Sequence, residues 1–309
     1  MKINGEIVRK IRKRLGMTQA EFAEKLDVSE KTISRIENNN YKSGEYGLSI
    51  SKFAKMLELA GIPDSEFWLL YLTTEEYEGY KTYKKVQRFF DQDRMEESVL
   101  LLEELEKNPI TENPIVKQSI EHMKIVVETT FNDTPVAEID HVGVLRKLYK
   151  LLGVSYLQEA RLLSEPLTQT EIKILNHIGI ILYWKGEQAR AMRLYESLYK
   201  ARDRFQFSEE DDNKILPVIM VNLATYLMRN GKYNESLELA TSALKFCKDS
   251  EELWSLPTVL RLTATLSKEM GKPIEEYKPT VLQAYYSAKA IGRELLAKGI
   301  YDEFSDLFV

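Results

Sequence analysis

Three hundred and nine residues weighing 35.9 kDa suffice for two domains at roughly 100 to 200 residues each. With 44% apolar and 29% charged residues the chain can bury a real core, and its low Gly (14) and Pro (9) counts exclude the turn-rich pattern of an all-β protein. The net charge of −5 is uneven: residues 1 to 43 hold ten Lys and Arg against six Asp and Glu, net +4, so the rest carries −9, and any polyanion contact belongs at the basic head.

Several function classes fall at once. Cys247 is the only cysteine, so no internal disulfide forms, and the N-terminal residues lack the apolar run of a secretory signal; a cytoplasmic protein is expected. The longest apolar stretch, around residues 178 to 184, stops at Lys185, short of the roughly 18 residues a membrane span needs. His122, His141, His177 and Cys247 have no metal-ligand spacing, so no metal is expected. No Gly-rich phosphate loop and no G-x-S-x-G elbow occurs, so neither an enzyme nor a cofactor is expected. Cys247, beside Leu244 on an amphipathic stretch, reads as a small buried hydrophobe.

In chain order, Asn4 is an N-cap candidate for a first helix whose Ile7, Val8, Ile11 and Leu15 recur at helical spacing before Gly16 ends it. Thr18 with Glu21 three residues on is a capping box for a short second helix bearing Phe22, Ala23 and Leu26. Ser29 caps a third helix in which Ile33 and Ile36 face inward while Glu30, Lys31, Ser34 and Arg35 share the opposite side. Two short helices joined by a brief turn, the second with a polar face, form the arrangement that enters a DNA major groove. A polar loop over 38 to 46 follows. Leu48, Phe53, Met56 and Leu57 then predict a fourth helix ended by Gly61 and Pro63, and Asp64 caps a fifth through Phe67, Trp68 and Tyr71, aromatics that serve either a core or a dimer contact.

Residues 18 to 38, TQAEFAEKLDVSEKTISRIEN, resemble the helix-turn-helix of the XRE family, to which lambdoid phage repressors belong. The resemblance spans about the first 70 residues and implies a five-helix domain over 1–73 that binds duplex DNA. It makes Gln19 the start of the second helix against DNA, Ala23 the small residue at the helix crossing, and Glu30, Lys31, Ser34 and Arg35 the residues facing base edges. Arg35 suits guanine, whose O6 and N7 match a fork of donors. Arg12, Thr18 and Asn38 would take phosphates, which position the protein without specifying sequence. Asp27 stands where the family's turn often has Gly, and Asp tolerates a left-handed backbone.

From residue 74 to 309 the chain repeats a helix, tight turn, helix pattern. Segments 83–106, 176–201 and 222–246 align on their turns, and small residues recur at the expected crossings: Val86 with Ser98, Gly179 with Ala191, Ala224 with Ser236. These segments resemble the tetratricopeptide repeat, keeping Ile178, Gly179, Gly186 and Ala191 in one unit and Leu223, Ala224, Gly231, Tyr233 and Ala243 in the next. The spacing from Gly186 to Gly231 and on to Gly271 exceeds the 34 residues of the standard unit. A further pair around 262–288 keeps Gly271, with Pro279 expected to start or kink a helix, and 115–127 and 142–152 read as divergent helices. The expected fold is therefore all-α, the second domain being a right-handed superhelix of such hairpins with a concave groove.

In that superhelix the first helix of each repeat lines the groove. This singles out Asn176, Ile180 and Tyr183, then Asn222, Thr225 and Arg229, then Arg261 and Thr265. An asparagine amide offers both donor and acceptor and can clamp a peptide unit of any sequence, and Arg229 or Arg261 suits a terminal carboxylate. The competing reading is that each bonds between helices. An XRE-type helix-turn-helix before a tetratricopeptide-like array in a chain of this length resembles the RRNPP group, of Rgg, PlcR and PrgX type, which respond to peptide pheromones. That resemblance implies a homodimer, a short linear signalling peptide and control of transcription from a double-stranded operator in quorum sensing. Two alternatives remain: a regulator whose repeats bind a partner protein, and a phage or plasmid repressor whose repeats only dimerise.

Overall fold

A computed structural model describes residues 5–38, 52, 55–56, 58–59, 74–91, 94–130, 135–155, 163–164, 167–202, 205–206 and 209–308. The chain divides into two compact units, Met1–Lys84 with Glu104–Asn113, and Lys85–Glu103 with Pro114–Val309. The sequence placed the boundary at 73. The division falls instead inside the helix Thr74–Asp91, because segment 104–113 is tied to that helix's first turns: Asn108 Nδ2 donates to the Glu75 carbonyl at 3.1 Å.

In the first unit stand α1 (Gly5–Arg14), whose expected cap Asn4 lies outside the described residues, and α2 (Gln19–Lys25) and α3 (Glu30–Glu37), which form where Thr18 and Ser29 predict. The Thr18 hydroxyl accepts from Glu21 N–H while the Thr18 N–H donates to the Glu21 carboxylate, closing the capping box. Val8, Ile11, Phe22, Ala23, Leu26, Ile33 and Ile36 meet in one core with Met56. Lys52, Lys55, Met56, Glu58 and Leu59 are helical, as the fourth helix requires. The loop at 39–46 and the fifth helix with Phe67, Trp68 and Tyr71 lie outside the described residues.

Helices α4 (Thr74–Asp91) and α5 (Met95–Leu105) follow at the start of the repeat pattern. In the second unit follow α6 (Pro114–Thr130), α7 (His141–Leu152), α8 (Gln169–Trp184), α9 (Gln188–Ala201), α10 (Glu209–Arg229), α11 (Tyr233–Asp249), α12 (Leu256–Glu269), α13 (Ile274–Ala290) and α14 (Glu294–Glu303). Consecutive helices pack as hairpins, the first helices α6, α8, α10 and α12 also pack in a row, and α14 is tied to α12 through Glu303. That row is the inner layer of a superhelix. Two-residue strands β1 (Leu167–Thr168) and β2 (Phe205–Gln206) pair in parallel, Leu167 opposite Phe205. Neither this pairing nor α14 was expected from the residue pattern.

The repeat turns share one device. After α10, Gly231 has φ 74°, its N–H donates to the Met228 carbonyl and the Lys232 N–H to the Leu227 carbonyl, both at 2.9 Å. This left-handed closure satisfies the helix's last carbonyls and favours a residue without Cβ; Gly186 and Gly271 repeat it. The crossings vary more. Ser236 Oγ donates to the Ala224 carbonyl at 2.6 Å, whereas Gly179 faces the Tyr195 ring, so close that a Cβ would stand 2.4 Å from it. Pro279 lies inside α13 and does not start it.

Candidate nucleic-acid interface and repeat face

Helix α3 is set by its ends. Ser29 Oγ accepts from Thr32 N–H at 3.1 Å, and Asp27 has φ 51°, so the turn takes the left-handed conformation that Asp tolerates. Ile33 and Ile36 are buried, which leaves Glu30 and Lys31 exposed and Ser34 and Arg35 half-buried on the outward side.

The back of this helix carries what the sequence reading missed, a buried carboxylate. Glu37 has a side chain with 0% exposure. It receives Arg12 Nε at 2.5 Å and Nη2 at 2.9 Å, Gln19 Nε2 at 2.8 Å and Arg9 Nε at 3.4 Å. Burial acts to raise the Glu37 carboxyl, but the hydrogen bonds from Arg12 and Gln19, with the charge of Arg12, outweigh it and hold the group below its ordinary range. Arg12 also donates to the Met17 carbonyl, and Arg9 reaches the Glu37 carbonyl and the Asn38 side chain. One anion thus ties α1, the start of α2 and the end of α3 together.

This network redistributes the expected roles. Arg12, expected at a phosphate, is bound to Glu37 with only 12% of its side chain exposed. Gln19 is held by the same carboxylate. Asn38 donates to the Ser34 carbonyl and accepts from Arg9, and Thr18 is the α2 cap. A signal was available: Arg9 and Arg12 share the inward side of α1 with Val8 and Ile11, where a cation needs an anion.

On the row of first helices, Asn222 Nδ2 donates to Asn176 Oδ1 at 2.8 Å and to the Tyr195 hydroxyl at 3.2 Å, and Tyr195 donates to the Asn176 carbonyl at 2.8 Å. Burial pushes the Tyr195 phenol well above its ordinary range, so it stays a protonated donor. The two asparagines thus bond to each other, the competing reading. Yet among the described residues this leaves the Asn222 carbonyl oxygen and the Asn176 amide nitrogen without a bond, one acceptor and one donor. Tyr183 packs on Tyr226 at 5.0 Å, and the exposed Arg229 lies over the Tyr183 ring at 4.8 Å. Ile180 is half-buried, and Thr225 Oγ1 caps the Val221 carbonyl. Arg261 and Thr265 do not join this group: Arg261 Nε and Thr265 Oγ1 donate to the two oxygens of Glu303 at 2.7 and 2.6 Å, so the chain itself supplies the carboxylate.

A helix-turn-helix family model matches residues 8–67, and a tetratricopeptide repeat model matches residues 218–249. No curated protein matches by sequence. Among solved structures, the Bacillus thuringiensis regulator PlcR, in complex with the peptide PapR7 and DNA, superposes at TM-score 0.74 with 16% identity, over 97% of this chain and 99% of that one. This chain has the fold of the RRNPP-type regulators. The SHP pheromone receptor Rgg2 of Streptococcus dysgalactiae matches at TM-score 0.60 with 15% identity over 98% of both chains. The competence regulator ComR of Streptococcus vestibularis, with its signalling peptide XIP, matches at 0.53 with 13% identity, over 99% of this chain and 98% of that one. The RRNPP-type order of a helix-turn-helix followed by tetratricopeptide-like repeats is kept along the chain. Among the described residues no helix is long and apolar enough to cross a membrane.

Proposed function

We propose that this protein is a cytoplasmic, homodimeric transcription regulator that reads an operator through α3 and takes a short linear peptide on the row of first helices. The observation that carries the DNA half is the outward face of α3, Glu30, Lys31, Ser34 and Arg35, presented by a helix whose back is fixed through Glu37. Arg35 reads guanine and Lys31 an adjacent base or phosphate. Arg12, Gln19 and Asn38 position that face and touch DNA only at its edge.

The peptide half rests on the donor and acceptor left over between Asn176 and Asn222, which fit the carbonyl and N–H of an extended chain. Ile180 and Tyr183 supply apolar contact, and Arg229 holds a terminal carboxylate. PlcR and ComR, solved with peptides, share the fold. Peptide that prefers one arrangement of the repeats shifts the dimer toward it, changing the separation of two α3 helices that must meet half-sites about 34 Å apart.

Two experiments test this. Duplexes selected from a random pool should share a guanine-containing half-site, and Arg35→Ala should erase the preference at one base pair; no enrichment over the pool would end the DNA reading. Calorimetry with short apolar peptides encoded beside the gene should show binding weakened by Asn222→Ala and by Arg229→Ala. Unchanged binding in both variants would overturn the assigned peptide contacts.

A further inference from the structure

Helix α4 separates its charges by position. Its acidic residues sit at the ends, Glu75, Glu76 and Glu78 before residue 80 and Asp91 at the close, the first two in the first turn where they match the helix dipole. Between them Lys81, Lys84, Lys85 and Arg88 recur at i, i+3, i+4 and i+7, which places all four on one face. Lys81, Lys85 and Arg88 are exposed and Lys84 half-buried, while Tyr80, Tyr83, Val86 and Phe89 are buried on the other side. From 81 to 88 the outer face of this helix is therefore cationic.

We infer that this face is a second, sequence-independent contact for the DNA phosphate backbone, separate from α3; the inference rests on the DNA-binding reading above. Three physical points carry it. Everything beyond residue 43 sums to −9, a field that repels a duplex, and a row of four cations within that stretch offsets the repulsion locally. The row spans about 10 Å at 1.5 Å per residue, the length over which one DNA strand presents about three phosphates. The lysines are also partly ordered: Lys84 Nζ stands 5.7 Å from the Tyr80 ring centroid and Lys85 Nζ 5.4 Å from that of Phe89. Stems resting on aromatic rings lose less freedom on meeting an anion. Lys81 also pairs with Glu78 at 2.6 Å, a half-exposed bridge that a phosphate can replace at little cost. Three lysines and one arginine with no apolar residue among them suit point contacts with phosphate and not the reading of bases.

The test uses the full-length protein and random-sequence duplexes of about 40 base pairs, with affinity measured across a salt series. Neutralising the stripe (Lys81→Gln, Lys84→Gln, Lys85→Gln, Arg88→Gln) should lower the slope of log K against log salt by about 0.9 per lost contact, 2 to 3 in all, with affinity at 0.15 M salt falling on the order of a hundredfold. Lys84→Gln with Lys85→Gln gives a milder version should the fourfold variant fold poorly, and Lys84→Arg with Lys85→Arg should keep the wild-type slope. Arg35→Ala should do the reverse, losing preference for a selected sequence while keeping the slope on random DNA. A wild-type protein that binds DNA with a slope unmoved by either neutralised variant overturns the inference and leaves the α3 reading standing. A slope unmoved while low-salt thermal stability changes also overturns it, showing that the stripe pairs with acidic protein surface. Absence of all DNA binding overturns both.

Discussion

Arg12 lays two nitrogens of its guanidinium against the two oxygens of Glu37, at 2.5 and 2.9 Å, behind the helix proposed to read DNA. Removing one member of so enclosed a pair leaves the other charge unpaired, so Glu37→Ala should cost about 3 kcal/mol, read from urea unfolding. Arg12→Lys should recover only part, since an ammonium cannot make the fork. Because Glu37 titrates below the ordinary carboxylate value of about 4.3, its contribution is complete above that value and is lost as pH falls through the lower folded one. Acid unfolding of Glu37→Gln should show a correspondingly shallower loss.

Gly179 sits inside α8, where replacing Gly by Ala would ordinarily gain about 1 kcal/mol of helix propensity. Here the new methyl meets Tyr195 at 2.4 to 2.9 Å, and that ring is fully buried and hydrogen-bonded to Asn176. Overpacking of about 1 to 3 kcal/mol outweighs the propensity gain, so Gly179→Ala should lower the melting temperature. Gly299→Ala gives a milder contrast: its nearest neighbour is the Nη1 end of Arg261 at 3.3 Å, a side chain held by Glu303 that need shift by only a few tenths of an ångström, so the loss should be much smaller than at Gly179.

His122 on α6 and His177 on α8 pack edge to face with centroids 5.5 Å apart, and His177 Nε2 lies 3.2 Å from Thr129 Oγ1. Among the described residues, His122 Nε2 and His177 Nδ1 are buried with no hydrogen-bond partner. Burial pushes His177 down to about 4, and His122 well below its ordinary value with some help from His177 and Lys173. The unfolded chain, whose histidines titrate near 6.5, therefore binds more protons between those limits. Stability should rise with pH from about 4 to about 6.5, and the urea midpoint of His177→Leu should be flatter over that interval. An equally steep profile in the variant would show that these imidazoles do not govern it.

Arg261, Thr265 and Glu303 join α12 to α14. The pair is a quarter to a third exposed, so a double-mutant cycle between Arg261→Ala and Glu303→Ala should return no more than about 1 kcal/mol. Peptide affinity should be unchanged in Arg261→Ala. A selective loss of peptide would return Arg261 to the binding site.

What could be read in advance was whatever is settled within a few residues. Thr18 with Glu21, Ser29, Gly186, Gly231 and Gly271 each declare a helix end through a local hydrogen bond or a positive φ, and each stands where the spacing put it. The roles of Arg12, Gln19, Arg261 and Thr265 depended on partners 18 to 42 positions away in the chain. No periodicity carries that information. The Asn176 and Asn222 pair falls between: both were visible as polar residues on inner helices, but their mutual bond depends on the register of one hairpin against the next.

The closed turns at Gly186, Gly231 and Gly271 give each hairpin its own finished backbone, with the carbonyls at the bend spoken for before any neighbour arrives. A hairpin can therefore be duplicated or deleted whole, at the connections between hairpins, without opening these turns and exposing their main-chain polar groups. The array is free to change length, and with it the extent of its inner row of helices, by whole-unit steps.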